Sequence, residues 1–420
     1  MQRTGCGAIG NRTAPDDRQP DPTPPSLPSV CRTLTRFGGV GATVRRRVGA
    51  GVLAWVGGLA VVAAAAHPEG CPTVTVEEAR ASAQAGIDWI AENQTADGRF
   101  LYRYDRAEGE VLPGYNYVRH AGTLLALEQA AAAGLDDATP AAERATDFAV
   151  DELTELDEDR WAFTADTGGT GLLVAALVEH RRATGSAARD PLLRGLGRFL
   201  VSTVTDEGAV VALWDLEADE AVEGSRSPFF TGEILWALAR LHAEFPDEGW
   251  DEPARRISAY LATERDDAER RFPPVSDHWG AYGWDEISAW PTELTDDEQA
   301  YAERQAGLFG LQVRYESQRR ADGIVALTRG PFALTAGLGT LGEGLGGIHR
   351  LAERDPDLDV DRDDVAARLA CVAGMLVARQ TQSDDPRLDG AWFRNDITQV
   401  DDQQHAISAL LAATAVLEDP

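Results

Sequence analysis

From Val76 onward, two kinds of helical stretch alternate six times, and this alternation restricts the fold more than any other feature of the chain. The stretches at 76–93, 141–155, 189–204, 251–264, 295–320 and 362–380 are amphipathic. In the first, Val76, Ala79, Ala83, Ile87 and Ile90 recur at spacings of three and four, with Glu77, Arg80 and Asp88 off that stripe. Each is followed by a stretch rich in Ala, Gly and Leu on nearly every side, at 116–133, 167–184, 229–244, 277–290, 331–353 and 399–417. A helix apolar all round is buried all round. Glycine within a helix costs up to about 1 kcal/mol relative to alanine, so its repeated use in ALTAGLGTLGEGLGGI (333–348) predicts helix backbones in close contact. An outer ring of half-buried helices around an inner ring of buried ones satisfies both patterns. The inner stretches begin at intervals of 48 to 68 residues, too irregular for a solenoid but tolerable in a closed ring. The expectation is an all-α (α/α)6 toroid of six helical hairpins over 76–420.

The start of the chain differs. Residues 48–66 (VGAGVLAWVGGLAVVAAAA) carry no charge and directly follow Arg45, Arg46 and Arg47. About 20 apolar residues span a bilayer as a helix, and a basic cluster on the N-terminal flank places that flank in the cytoplasm. The expectation is a transmembrane signal anchor at 48–66, with the remainder extracellular. Secretion after cleavage near Ala64 to Ala66 is the alternative. Residues 1–47, rich in Pro, Asp, Thr and Arg, read as a disordered tail or as the product of a start assigned too early, and 67–75 as a linker.

The formal net charge is −30, and all 39 basic residues are Arg. Residues 1–47 contain eight Arg against three Asp, so the rest of the chain carries −35. That balance excludes a nucleic-acid binder, which needs a basic face to displace counterions. The absence of Lys beside abundant Asp, Glu, Ala and Gly resembles the proteins of halophilic archaea. Such self-repulsion is tolerable where salt shortens the Debye length to about 3 Å at 1 M. Cys6, Cys31, Cys71 and Cys371 form no disulfide scaffold and no zinc spacing. No phosphate loop, serine elbow or dinucleotide fingerprint is present, and neither a metal nor a cofactor is expected.

Gln94-Thr-Ala-Asp97-Gly98-Arg-Phe100 ends the first outer stretch, and Asp389-Gly390-Ala-Trp392-Phe393 repeats its second half after the last, with Gln380 and Gln382 upstream. This pattern resembles the repeat of terpenoid cyclases and protein prenyltransferases. The overall layout is equally similar to six-hairpin glycosidases and sugar epimerases. Gln399-Val400-Asp401-Asp402-Gln403-Gln404-His405-Ala406 resembles the class II terpenoid cyclase acid motif D-x-D-D-T-A, with Gln399 in place of the first Asp and Gln403 in place of Thr.

The loops entering the inner helices are dense in aromatics. Tyr102, Tyr117, Trp161, Trp279 and Trp392 are candidates to stack on sugar faces, or else to cap the core. Arg119 and His120 stand early in an otherwise apolar inner stretch. A charged Arg there requires a partner, either a substrate carboxylate held bidentately or a protein carboxylate such as Asp402 or Glu233. In the fourth inner stretch Asp277 fits a helix N-cap, and His278, Tyr282 and Asp285 share a face, with Glu286 on the neighbouring line. His405 and the carboxylates Asp401 and Asp402 open the sixth. Glycoside hydrolysis requires two carboxylates flanking the scissile bond. The expected catalytic set is Asp285 or Glu286 facing Asp401 or Asp402, with Glu233 and the other groups binding substrate.

Three functional classes follow. The first is a membrane-anchored carbohydrate-active enzyme of glycosidase or sugar epimerase type, acting as a monomer on glycans. The second is a terpenoid-cyclase-like enzyme, and the third a non-catalytic toroid binding glycan or protein. The charge of −35 without Lys also predicts that 76–420 requires molar salt to fold. In circular dichroism during dialysis to low salt the helical signal is expected to fall, and an unchanged signal and melting temperature would refute the dependence.

Overall fold

A computed structural model describes residues 38–66, 69–157, 159–269, 275–319 and 335–418. The tail expected at 1–47 lies outside these residues up to position 37, as do the first four residues of the fifth inner stretch. The chain divides into an N-terminal unit, residues 1–67, and a body, residues 68–420.

In the N-terminal unit, helix α1 (Gly38–Ala66) begins ten residues before the uncharged run, so that Arg46 and Arg47 are helical. Its segment from Arg46 to Ala63 has a mean hydropathy of 1.4 and is long and apolar enough to cross a membrane. Its large side chains are exposed, Trp55 by 71 %.

The body is mostly helical and toroid-like. Its hairpins are α2 (Val76–Asn93) with α3 (Tyr117–Ala132), α4 (Ala138–Asp151) with α5 (Thr167–Thr184), and α6 (Asp190–Ser202) with α7 (Phe230–Glu244). Next comes α8 (Asp251–Thr263), the single turn α9 (Arg265–Ala268) and α10 (His278–Ile287). The last two hairpins are α11 (Asp296–Ser317) with α12 (Thr335–Arg354) and α13 (Arg362–Arg379) with α14 (Val400–Glu418). The second members touch in a closed cycle, α3 to α5, α7, α10, α12 and α14 and back to α3. The amphipathic members pack outside them. Thr75 and Thr295 start two outer helices with capping boxes closed by Glu78 and Glu298. The fourth inner helix is shorter than expected at both ends, because Asp277 is its N-cap and accepts from the Gly280 amide at 2.8 Å.

Short strands fill the loops between outer and inner helices. β1 (Arg103–Asp105) lies between β2 (Glu110–Val111) and β7 (Ile397–Gln399), while β3 (Thr154–Asp157) pairs β4 (Arg160–Ala162) and β5 (Trp214–Asp215) pairs β6 (Glu220–Ala221). β1 therefore joins the first hairpin to the last. The Asp-Gly loops make a second joint. Gly98, Gly208 and Gly390 all have φ between 76° and 89°. A Cβ there would run into the carbonyl of Arg144, Arg256 and Ala85 respectively, each on the next outer helix of the ring. Only glycine permits both that φ and that approach. Gln94 and Gln380 reinforce the joint by donating to the loop carbonyls of Gly98 and Gly390 and across to Ala141 and Ser82.

Of the stretch read as a linker, residues 69–71 are tied to the body. Cys71 is disulfide-bonded to Cys371 of α13 with their Cα atoms 4.9 Å apart, Glu69 pairs with Arg368, and the Gly70 amide donates to Ser317. Cysteine spacing gave no sign of this bond, because its halves are 300 residues apart.

The glycines of α12 settle the inner-ring spacing. A Cβ on Gly342 or Gly346 would press on Ala409 or Ala412 of α14 at 2.5 and 2.9 Å, and one on Gly347 would meet the Ala281 backbone of α10 at 2.9 Å. Gly347→Ala therefore loses more by overpacking than it gains in helix propensity. A net destabilisation of about 1–3 kcal/mol is expected, and a rise in midpoint on denaturant unfolding would contradict this packing.

Candidate functional site

A cavity of about 460 Å³ is lined by residues at the N-terminal ends of all six inner helices, from the N-cap to the second turn: Asn116 and Arg119, Asp166, Phe230 and Glu233, His278 and Trp279, Thr340, and Asp401 with His405. A second cavity of about 340 Å³ is lined by their distal turns, including Gln129, Arg182, Arg240, Asp285, Glu286, Arg350 and Ser408. The inner helices thus all run the same way. Six N-termini converge on one mouth and bring their positive dipole ends to it.

At the mouth, glycines on one inner helix make room for polar side chains of the next. A Cβ on Gly122 of α3 would overlap Gln404 of α14, one on Gly168 of α5 would overlap Glu233 of α7, and one on Gly232 of α7 would meet Asp277 at the start of α10. Asp277 is itself held by the fully buried Arg265 at 2.5 Å.

Glu233 is 3 % exposed, and among the described residues its Oε2 has no hydrogen-bond partner. Burial, then the charges of Asp277 and Asp166, push its carboxyl up to about 8. Asp166 is itself raised by burial. Asp401 Oδ2 accepts from Arg119 Nε at 2.9 Å, while its buried Oδ1 has no hydrogen-bond partner among the described residues. Arg119 also donates to the Tyr102 hydroxyl at 2.7 Å. His278 is 2 % exposed, and neither ring nitrogen has a hydrogen-bond partner among the described residues; burial and the neighbouring His405 hold it well below the usual histidine range. Burial lowers His405 too, but its bond to Glu343 Oε2 at 2.6 Å outweighs this and the net shift is upward. Burial likewise raises Glu343, against the pull of His405.

Of the residues singled out in the sequence, Arg119, Glu233, His278, Trp279, Asp401 and His405 line this cavity, and Tyr102 holds Arg119. The others lie elsewhere. Asp402 caps backbone, accepting from the amides of Ala336 at 2.9 Å and Gln399 at 3.0 Å, and burial followed by Asp401 pushes it up to about 6. His120 is buried between Tyr115 and the Ala145 carbonyl. Tyr117 donates to Glu152 and stacks on Phe148. Trp161 packs by Gly195 of α6, and Trp392 is fully buried with its indole N–H on the Leu376 carbonyl. Tyr282 lies at the distal end against Trp236.

The expected pairing of Asp285 or Glu286 with Asp401 or Asp402 is not formed, because the two pairs occupy opposite ends of the ring. Two turns into α10, Asp285 and Glu286 have passed the mouth. Asp285 pairs with Arg350 at 2.7 Å and with Arg354. Glu286 pairs with Arg182 at 2.7 Å and Arg240 at 3.4 Å. Burial would raise Glu286, yet Arg240 and Arg182 bring it below its ordinary value. This distal network bridges α5, α7, α10 and α12. The sequence reading missed Asp166, which closes a loop, and Glu343, whose signal was a lone acid in the Gly-rich apolar stretch 333–348. Asp285→Asn is expected to lower stability by about 1–3 kcal/mol while the folded fraction keeps its full activity. Loss of turnover at unchanged melting temperature would instead place Asp285 in the chemistry.

No family model matches the sequence, and no curated protein matches it either. Solved structures do resemble it. An unsaturated glucuronyl hydrolase specific for heparin superposes with a TM-score of 0.56 at 13 % identity, covering 81 % of this chain and 98 % of its own. An inactive variant of the α-1,6-mannanase GH76A of Salegentibacter sp. HEL1_6, in complex with α-1,6-mannotriose, gives 0.56 at 12 %, covering 81 % and 99 %. Cellobiose 2-epimerase from Bacillus thermoamylovorans B4167 gives 0.57 at 12 %, covering 81 % and 98 %. The body therefore has the fold of six-hairpin glycosidase-like toroid enzymes.

Proposed function

We propose that the body, a closed (α/α)6 toroid, is a glycan-processing enzyme of glycoside hydrolase type with its chemistry at the N-terminal mouth. The observation that carries this reading is a pair of carboxyls, the buried Glu233 and the half-buried Asp401, lining one cavity in different electrostatic settings, each with a buried oxygen that has no hydrogen-bond partner among the described residues. Buried polar atoms are nearly always hydrogen-bonded, so two such atoms in one cleft argue for a polar ligand. Carboxyls whose surroundings differ in this way divide into acid and base. Glu233, neutral below about 8, donates a proton to the leaving glycosidic oxygen. Asp401, ion-paired to Arg119, serves as base or nucleophile. That ion pair also argues against the cyclase reading, in which the motif Asp is a proton donor.

The substrate class is acidic. Arg119 is engaged by Asp401, but an adjoining cavity of about 380 Å³ is lined by Arg103 and Arg394 as well. Among the described residues neither forms an ion pair, and the buried Arg103 Nε has no hydrogen-bond partner. A glycan carboxylate suits such donors. The heparin-specific glucuronyl hydrolase and the mannotriose-bound mannanase support an oligosaccharide substrate. Helix α1 with its leading Arg46 and Arg47, together with a disulfide of the kind common in oxidising surroundings and rare in the cytosol, supports a single-pass anchor with the body outside the cell.

An acid with this raised value fixes a pH profile. Glu233 is protonated in the folded chain between about 4.5 and about 8 but ionised when unfolded. Its contribution to stability is therefore complete below about 4.5 and lost as pH rises through about 8, and activity falls over the upper limb of that range. Glu233→Gln and Asp401→Asn are expected to lower kcat by about 100-fold or more against uronate-containing oligosaccharides, and Glu233→Gln to melt above the parent at pH 9. Arg103→Ala is expected to raise KM for acidic glycans only. Full turnover in both carboxylate variants would refute the reading.

A further inference from the structure

His278, Glu343 and His405 come from α10, α12 and α14, three consecutive inner helices, and their ligating atoms all lie within 4.8 Å of one another. Glu343 is 1 % exposed. Its Oε2 is 2.6 Å from His405 Nδ1 and 3.8 Å from His278 Nε2. Two ligands about 2.1 Å from one tetrahedral cation are roughly 3.4 Å apart, a value between those two distances. The bond between His405 and Glu343 satisfies only that pair. His278 is left with two buried ring nitrogens and no hydrogen bond among the described residues, in an enclosure of Phe229, Trp279 and the His405 ring. A neutral imidazole with both nitrogens unsatisfied is costly in such a place. A cation accepts the lone pair that nothing else there accepts.

We propose that His278, Glu343 and His405 form a binding site for one divalent transition-metal cation of the zinc type, with an open coordination position toward the mouth cavity. Two imidazoles and one carboxylate match the donor set of catalytic zinc sites, which keep a position for water or substrate. Both histidines line the mouth beside Asp401, so the open position faces the region assigned to the glycan. The ring itself supports the ligands: a Cβ on Gly339 of α12 would collide with the His405 backbone, which keeps α12 and α14 close enough for Glu343 to reach His405. When bound, the cation would act as a Lewis acid on a substrate oxygen. The site rests on the proposed glycan reading only for that role; its occupancy is independent of it.

The test is direct metal binding by the purified full-length chain, stripped with chelator and titrated with Co²⁺ in molar NaCl, which screens loose binding to the acidic surface. The expected result is visible d–d absorption that saturates at one equivalent and is reversed by Zn²⁺. His278→Gln and Glu343→Gln, each checked for a native melting transition, should weaken binding by about tenfold or more. His349→Ala, outside the cluster, should leave it unchanged. Absence of a saturable d–d spectrum in the folded parent, or equal binding by the folded His278→Gln variant, overturns the site. Because the readout is a spectrum rather than turnover, failure of the glycan assay leaves this result intact, and the converse also holds.

Discussion

Contact between inner-helix backbones through glycine is the constraint on which the rest of this body depends. It closes the ring, since Gly342, Gly346 and Gly347 let α12 lie against both α14 and α10. It also builds the mouth, because the volume that a Cβ would take at Gly122, Gly168 and Gly232 is taken instead by Gln404, Glu233 and Asp277 of the neighbouring helix. Helix propensity alone would favour alanine at each of these positions. The chain gives up that local preference where two helices must share space, and at the mouth the shared space holds a polar group.

The two ends of the ring treat buried charge in opposite ways. At the distal end, Asp285 and Glu286 are matched to arginines from three neighbouring inner helices. A buried ion pair needs charge matching of this kind to avoid a net cost, and here each carboxylate has two arginines, although the Arg240 Nε itself makes no hydrogen bond among the described residues. At the mouth, Glu233 Oε2, Asp401 Oδ1 and both nitrogens of His278 have no hydrogen-bond partner among the described residues. Both ends draw on the same side-chain types, so composition does not distinguish a structural plug from a site. The degree of satisfaction does.

This contrast explains what was legible in the sequence. The helices were legible because burial imprints a period of 3.6 over many residues: an outer helix shows one stripe, an inner helix none. The glycine spacing in 333–348 carried the close packing for the same reason. Within the mouth, residues in the first two turns of an inner helix, such as Arg119, Glu233, His278, Asp401 and His405, could be found from position alone. Asp285 and Glu286 could not be excluded that way. A further turn of α10 carries a carboxylate about 5.4 Å along the axis, from one cavity toward the other, and the sequence holds no marker of which end is meant. Trp161 and Trp392 failed for a related reason, since an aromatic entering a loop serves equally to cover a core.

What the sequence could not carry at all were relations between distant hairpins. The Cys71–Cys371 bond spans 300 residues, Arg119 finds Asp401 across the ring closure, and His278, Glu343 and His405 are brought together from α10, α12 and α14. Metal spacings readable in a sequence come from ligands on one turn or one helix. In a toroid each inner helix shows the mouth only its first turns, one or two side chains deep. A three-ligand or two-carboxylate site must therefore draw on several hairpins, each contributing a single residue that looks unremarkable in its own segment. The ring that makes the helices easy to read is thus what disperses the site. In such a fold the useful sequence signal is the isolated polar residue in an otherwise apolar inner helix, of which Glu343 in its run of Gly, Leu and Ala is the clearest case.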